Sequence, residues 1–327
     1  EEMEQEAENN QPQISENTQT AQGADAKTTT QEAVGVALPV AINAENFPDA
    51  YFRDYVNSST IDTTNDDKLS AEEIAEVDYL LLSYDGITDL KGIENFTSLK
   101  TLYCYYNKLT SLDVSKNTAL TTLNCHSNSI TTLKVNSNLE YLACSNNKLT
   151  TLDLTGATAL KEVNCSYNKL TTLDISSNVA LKYLTCSYNL LTSLDVTKNV
   201  NLLDLAFQSN SLTTLNVSKN VMLKTLYCFN NKLSSLDVTK NIKLESLNCG
   251  DNTITNLDLS KNLKLSYLAC ANSQLTSLDC KYNPKLTTLY CYSNKLTSLD
   301  LSNNPAIVNL YCYSNKLTSL DLSNNPA

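Results

Sequence analysis

A single histidine, His126, and six glycines serve a chain of 327 residues. A Ser-His-Asp triad or a His-rich metal centre needs partners that one isolated histidine cannot supply. The glycines form no phosphate-cradling loop of the G-x-x-x-x-G-K or G-x-G-x-x-G type. No catalytic residue is therefore assigned, and the chain reads as a non-enzyme. Basic residues are in the minority: 24 Lys and Arg stand against 35 Asp and Glu, a formal charge of −11. That balance excludes a nucleic-acid face, which is built on positive charge. No stretch approaches the eighteen or so consecutive apolar residues of a membrane span. No C-x-x-C occurs among the eleven cysteines.

Large apolar side chains are almost missing from residues 1–35, which are Glu, Gln, Asn, Thr and Ala. Such a segment cannot bury a core, and a disordered polar tail is expected over 1–38. Eight of its acids face one Lys27, so the remainder of the chain is only mildly acidic. The chain does not open on Met and shows no signal-peptide core. This points to a mature exported protein, extracellular at the cell surface, whose tail spans the envelope.

The rest of the chain repeats. The unit L-x-x-L-x-C-x-x-N-x-L-T-x-L-D-V-S-x-N-x-x opens at Leu99, Leu120, Leu139, Leu160, Leu181, Leu202, Leu223, Leu244, Leu265, Leu286 and Ile307. All copies share one length except that starting at Leu120, which is two residues shorter. A divergent unit, Val77 to Ser98, precedes them, giving about 12 repeats over 78–327. A fixed period of this size means a solenoid, in which no turn can bury its apolar face without neighbours. In Leu102-Tyr103-Cys104 the apolar positions alternate, as in a strand: Leu102 and Cys104 point inward, Thr101, Tyr103 and Tyr105 outward. The second half of the unit, Leu109 to Val114, is rich in Leu and β-branched residues, which predicts short extended segments, not helices.

Leu99-Lys-Thr-Leu102-Tyr-Cys104-Tyr-Tyr-Asn107-Lys-Leu109 resembles the leucine-rich repeat, and the stretch from Gly86 to Leu99 resembles the repeats of internalin-like bacterial surface proteins. The resemblance implies a curved array with a parallel β-sheet on the concave face; the residues themselves add short extended segments on the convex face and a small helical N-terminal cap. The resemblance also implies a surface used to bind other macromolecules. The Asn column, Asn107, Asn128, Asn147 and onward, is expected to bond backbone groups of its own and adjacent turns.

Ten cysteines share one column from Cys104 to Cys312, with Phe207 in the slot of the sixth copy and Cys280 on the convex side. Parallel inward-pointing side chains about 4.8 Å apart do not meet disulfide geometry. The thiols read as small buried hydrophobes.

Residues 39–77 are expected to close the open end of the core. Phe47, Tyr51, Phe52, Tyr55 and Val56 have helical spacing, and a second helix starts at Ser70. Between them, Asp62, Thr64, Asp66, the Lys68 carbonyl, Ser70 and Glu73 fall on the ligand positions of an EF-hand calcium loop. Thr64 and Asp67 depart from it, replacing a carboxylate or amide ligand and the turn Gly. Ser70-x-x-Glu73 is equally a capping box that needs no metal. The reading is a chain without a cofactor, with Ca2+ in this loop as the alternative.

Outward positions of the concave sheet carry most of the tyrosines. Tyr103, Tyr105, Tyr141, Tyr183, Tyr227, Phe229, Tyr267, Tyr290, Tyr292, Tyr311 and Tyr313 form the candidate binding face, with Tyr106, Tyr167 and Tyr188 beside it. Tyrosine combines contact area, a polar tip and low entropy cost, as binding surfaces require. The expected partner of a monomeric chain is a protein or a glycan, host-derived ligands included. The other reading is a wall spacer in which cross-strand tyrosines only stabilise the sheet. On the convex side an Asp column, Asp153, Asp174, Asp195 and onward, is expected to keep that face soluble, offset by lysines five residues earlier. The array runs to Ala327 without a closing cap, which points to continuation beyond that residue.

Overall fold

The structure is a computed structural model that describes residues 38–84 and 86–327. All but the last residue of the proposed tail, 1–38, lies outside the described residues.

The cap comes first. Strand β1 (Val40–Ala41) pairs antiparallel with β2 (Lys68–Leu69); helix α1 (Ala50–Val56) lies between them in sequence, and α2 (Ala71–Glu76) follows. Asp49 starts α1 by accepting the Phe52 N–H at 3.1 Å. Its other oxygen accepts the Thr88 N–H and hydroxyl at 2.8 Å, tying the cap to the first repeat unit. Phe47 and Phe52 are fully buried, ring edge to ring face at 5.7 Å. The fit requires glycine at position 92: a Cβ there would run into the Phe47 ring and lie 2.8 Å from the Asn46 carbonyl, and φ is +103°.

Twelve strands then form one parallel sheet in chain order: β3 (Tyr79–Leu81), β4 (Thr101–Tyr103), β6 (Thr122–Asn124), β8 (Tyr141–Ala143), β9 (Glu162–Asn164), β10 (Tyr183–Thr185), β11 (Asp204–Ala206), β12 (Thr225–Tyr227), β13 (Ser246–Asn248), β14 (Tyr267–Ala269), β15 (Thr288–Tyr290) and β16 (Asn309–Tyr311). Register is set by the repeat, so that Leu184 pairs with Leu205 and Leu205 with Leu226. This is the expected solenoid. Parallel strands need a crossover between them, and each repeat's remaining residues make one. On the convex side only β5 (Ser111–Asp113) and β7 (Thr132–Lys134) are strands among the described residues, paired in parallel. Elsewhere that side is turns and irregular backbone, and the shortened copy loses its two residues there.

The core is a stack of near-identical layers. Leu102, Leu123, Leu142 and their successors to Leu289 are buried, as are ten of the eleven cysteines; Leu310 and Cys312, in the last turn, are half-buried. Two asparagine columns carry the polar load. In the first, Asn128 donates to the carbonyls of Cys104 and Cys125 at 3.0 Å and accepts the Leu109 N–H at 3.0 Å, joining two turns. The second column, from the S-x-N of the repeat, is more deeply buried than the first. Asn178, Asn199, Asn220, Asn241 and Asn262 have no exposed surface. Asn199 donates to Ile175 O at 3.0 Å and Asn178 O at 2.9 Å, both in the preceding turn. Spacing alone does not assign this role, because Asn in a convex turn is ordinarily a solvated residue.

A further regularity is a left-handed residue in every turn that is never glycine: Tyr106, Ser127, Asn146, Tyr167, Tyr188 and so on, with φ of 51–67° from Tyr84 onward. Asn and Asp tolerate this region; Tyr is uncommon there. The three tyrosines and Tyr84 occur as stacked pairs, Tyr84 on Tyr106 at 4.8 Å and Tyr167 on Tyr188 at 4.2 Å.

Candidate functional site on the concave sheet

Period-2 alternation puts residues 1, 3 and 5 of each strand segment on the outer sheet face. Along that face the aromatic residues gather in two groups. The first occupies β3 to β6 and the loops after them. Tyr103 meets Tyr79 edge to face at 5.8 Å and Tyr105 at 6.2 Å. Tyr105 stacks on His126 at 4.9 Å with the rings 2° from parallel. Tyr106 lies against the Tyr105 and His126 edges at 6.0 and 5.0 Å. The repeat frame picks out Tyr103 and Tyr105 but not Tyr79 or Tyr84, because the first unit is one residue longer than the common frame and departs from it. Tyr141 lies within the electrostatic reach of Tyr103 and Glu162, and burial pushes its hydroxyl well above the usual tyrosine range.

The second group occupies β14 to β16. Tyr290 stacks on Tyr311 at 4.8 Å and approaches Tyr267 at 5.9 Å. Tyr292 stacks on Tyr313 at 4.7 Å, with planes 5° apart. Tyr292 is only 6% exposed, and burial lifts its hydroxyl to about 12. It therefore supports the sheet as much as it offers a surface, whereas Tyr313 is 59% exposed.

Between the groups the face is low. Ser145, Asn164 and Thr185 are partly exposed there, while Ala143, Ser166, Ser187 and Ala206 are buried. Tyr183 stands there apart from both groups, in register with Glu162 on one side and Asp204 on the other. Burial raises both carboxyl groups; Asp204 adds to the shift of Glu162, while the Thr225 hydroxyl and Lys224 partly offset that of Asp204. Tyr227 and Phe229 sit on β12 and just beyond it, Tyr227 bonding the Ser246 hydroxyl at 3.1 Å.

His126 is held by ring stacking and by a 2.9 Å bond between Nδ1 and the Ser127 hydroxyl. Burial lowers its pKa, so the ring is neutral at pH 7. No carboxylate is its hydrogen-bond partner among the described residues.

The cap loop brings Asp62, Thr64, Ser70 and Glu73 together. Asp62 is fully buried and accepts the Asp66 and Asp67 N–H groups at 3.2 and 3.0 Å. Glu73 accepts the Thr64 N–H and the Thr63 and Thr64 hydroxyls on one oxygen, and the Ser70 N–H and hydroxyl on the other. These bonds, led by Ser70 N–H, hold its carboxyl down at about 2. Asp66 turns to the Lys68 N–H instead. Among the described residues no three His, Cys, Asp or Glu side chains converge as a metal cage. Asp67, in the slot of the EF-hand Gly, does adopt the left-handed backbone, at φ 57°.

The convex Asp column differs from expectation in its partners. Asp174, Asp237 and Asp300 accept the N–H two residues ahead at 2.9 Å. That bond leads the lowering of the Asp174 and Asp300 pKa, whereas for Asp237 the Thr239 hydroxyl at 2.7 Å leads and the N–H adds to it. None of the three forms an ion pair with the lysine five residues earlier, Lys169, Lys232 or Lys295. An Asx turn satisfies the carboxylate locally, and an exposed lysine gains little by adding to it.

One strand, one inward cysteine and two bonded asparagines in the common turn define a leucine-rich repeat solenoid. A family model for leucine-rich repeats (two copies) matches residues 97–137. Over 72 residues the chain is 39% identical to Internalin J of Listeria monocytogenes serotype 4b (strain F2365); the match spans 22% of this chain and 8% of that protein. The functional domain of InlJ from Listeria monocytogenes, described as including a cysteine ladder, superposes with a TM-score of 0.65 at 32% identity. That alignment covers 90% of this chain and 75% of that one. An internalin (inlF) from Listeria monocytogenes str. 4b F2365 gives a TM-score of 0.77 at 23% identity over 86% of each chain, a likeness of fold alone. The chain belongs to the internalin-like leucine-rich repeat proteins.

Proposed function

We propose that this chain is an exported, cell-surface binding module whose two tyrosine groups contact a protein or glycan partner. The observation that carries this reading is the clustering of aromatic side chains at outward positions where the repeat frame tolerates Thr, Ser, Asn or Ala. Buried columns are dictated by packing; these positions are not, and they concentrate a residue suited to recognition. The low stretch around Tyr183 separates two contact patches, so an extended ligand would bridge them. A protein and glycan array probed with the full chain tests the reading. Binding that disappears in Tyr103→Ser/Tyr105→Ser or in Tyr311→Ser/Tyr313→Ser, with the fold intact, supports it.

The spacer reading is favoured by one observation: residues 289–306 and 310–327 are identical in sequence, so Tyr290 and Tyr292 recur as Tyr311 and Tyr313. Duplication by itself places like rings one above another. An array with no hits would select it.

The cap loop reads best as a metal-free turn. Five donors already fill the Glu73 carboxylate, and the Thr64 and Ser70 hydroxyls that calcium would need as ligands donate to it. A calcium ion would have to replace those bonds.

A further inference from the structure

The turns that lead into the strands carry an aliphatic ridge. Val179, Val200, Val221, Ile242 and Leu263 recur once per turn and are 52%, 46%, 47%, 56% and 54% exposed. The same slot holds Thr118 and Thr158 in earlier turns. Strand spacing of about 4.8 Å sets them in one line across five consecutive turns. The line is stiff: each ridge residue directly follows a fully buried Asn of the second column, such as Asn199 or Asn220, bonded to the turn before it.

Lysines border this ridge. Lys198, Lys219, Lys240 and Lys261 each lie two residues before a ridge side chain, with only the buried Asn between, and all four are exposed. Lys243 and Lys264 follow immediately after it. None of the four preceding lysines forms an ion pair among the described residues. The nearby Asp195, Asp237 and Asp258 are turned to their own Thr197, Thr239 and Ser260 N–H groups. In a chain of net charge −11, the segment 195–285 holds more lysines than acids.

We propose that this lysine-bordered ridge docks on an anionic lipid surface, aliphatic side chains entering the headgroup boundary and the ammonium groups meeting phosphates. A second copy of the chain fits less well, because it would set lysine rows against lysine rows. A soluble polyanion would leave the aliphatic line unused. The proposal is independent of the tyrosine groups, which lie on the sheet face.

The test is cosedimentation of the full chain with vesicles of phosphatidylglycerol and phosphatidylcholine in equal parts, and with phosphatidylcholine alone. The chain should pellet with the first and stay in solution with the second. Val200→Ser/Val221→Ser/Ile242→Ser/Leu263→Ser and, separately, Lys219→Gln/Lys240→Gln/Lys261→Gln should each weaken vesicle binding by about tenfold or more, with unchanged melting curves. Absence of pelleting with the anionic vesicles overturns the proposal. So does undiminished binding by the serine variant, which would mean charge alone. A concentration-dependent dimer that the serine variant abolishes would overturn it too, by assigning the ridge to a second copy.

Discussion

Asn199 reaches back one turn and donates to the carbonyl of Asn178 at 2.9 Å, and Asn220 does the same to Asn199 at 2.8 Å. The chain of such bonds runs through the convex turns with no solvent beside it. Replacing Asn199 by Leu removes two buried hydrogen bonds, although the Ile175 and Asn178 carbonyls each keep one backbone N–H, from Asn178 at 3.0 Å and Leu181 at 3.1 Å. A buried hydrogen bond contributes about 0.5–1.5 kcal/mol net, so the loss of two should cost the variant about 2 kcal/mol of stability in a urea titration. Ala157 occupies this column naturally in one turn, where the neighbouring Asn178 still bonds its carbonyl at 2.8 Å. Asn199→Ala should therefore be tolerated better than Asn199→Asp, which buries a charge.

The tyrosines should separate by burial. Tyr292→Ser empties a nearly closed site and breaks a stacked pair, and a loss of about 2–3 kcal/mol is expected. Tyr311→Ser and Tyr313→Ser act on residues 45% and 59% exposed. They should cost less than about 1 kcal/mol each. Thermal melts of the three variants give the ranking, which must be known before weaker partner binding is ascribed to a missing ring.

Native thiols should be inert. Burial pushes the thiols of Cys165, Cys249, Cys280 and Cys291 up to about 12, and the thiolate is the reacting form. A thiol reagent at pH 8 should label Cys312 first, since it alone is half-buried. All eleven should react once the chain is unfolded. Rapid labelling of several cysteines in the native chain would contradict the packed core.

Two sets of carboxylates should move stability with pH in opposite directions. Glu73 sits at about 2 in the folded chain, below its ordinary value of 4.5. Its contribution is present above pH 4.5 and is lost as pH falls toward 2. With solvent screening allowed for, the effect is about 2 kcal/mol. Glu73→Gln should flatten that acid limb, and millimolar calcium should leave the wild-type melting midpoint unchanged. A clear rise with calcium would instead assign Asp62, Asp66 and Glu73 to an ion.

Glu162 and Asp204 are raised by burial, so their ionisation works against folding. Their destabilising effect is full above the folded pKa and fades as pH falls toward the unfolded value. Glu162→Gln and Asp204→Asn should stabilise the chain at pH 7, and the double variant should do so by more than either alone. Melts across pH 4–7 in one buffer series would show it.

Much of the fold is legible in the repeat. Its fixed period by itself dictates parallel strands in register, since each turn must bury its Leu and Cys against the next. Period-2 alternation then decides that Tyr105 faces outward and Cys104 inward. The sequence does not say which outward residues touch. Tyr105 and His126 are one full repeat apart, and their stacking depends on the side-chain torsions that neighbouring rings permit. The second asparagine column is equally hidden, because only the closed turn shows that Asn199 has carbonyls rather than water beside it. The same holds for the Asp column, whose partners are nearby N–H groups and not the expected lysines. Backbone pattern is a local property and can be read along the chain. Burial and pairing belong to contacts between turns, and those exist only once the turns are stacked.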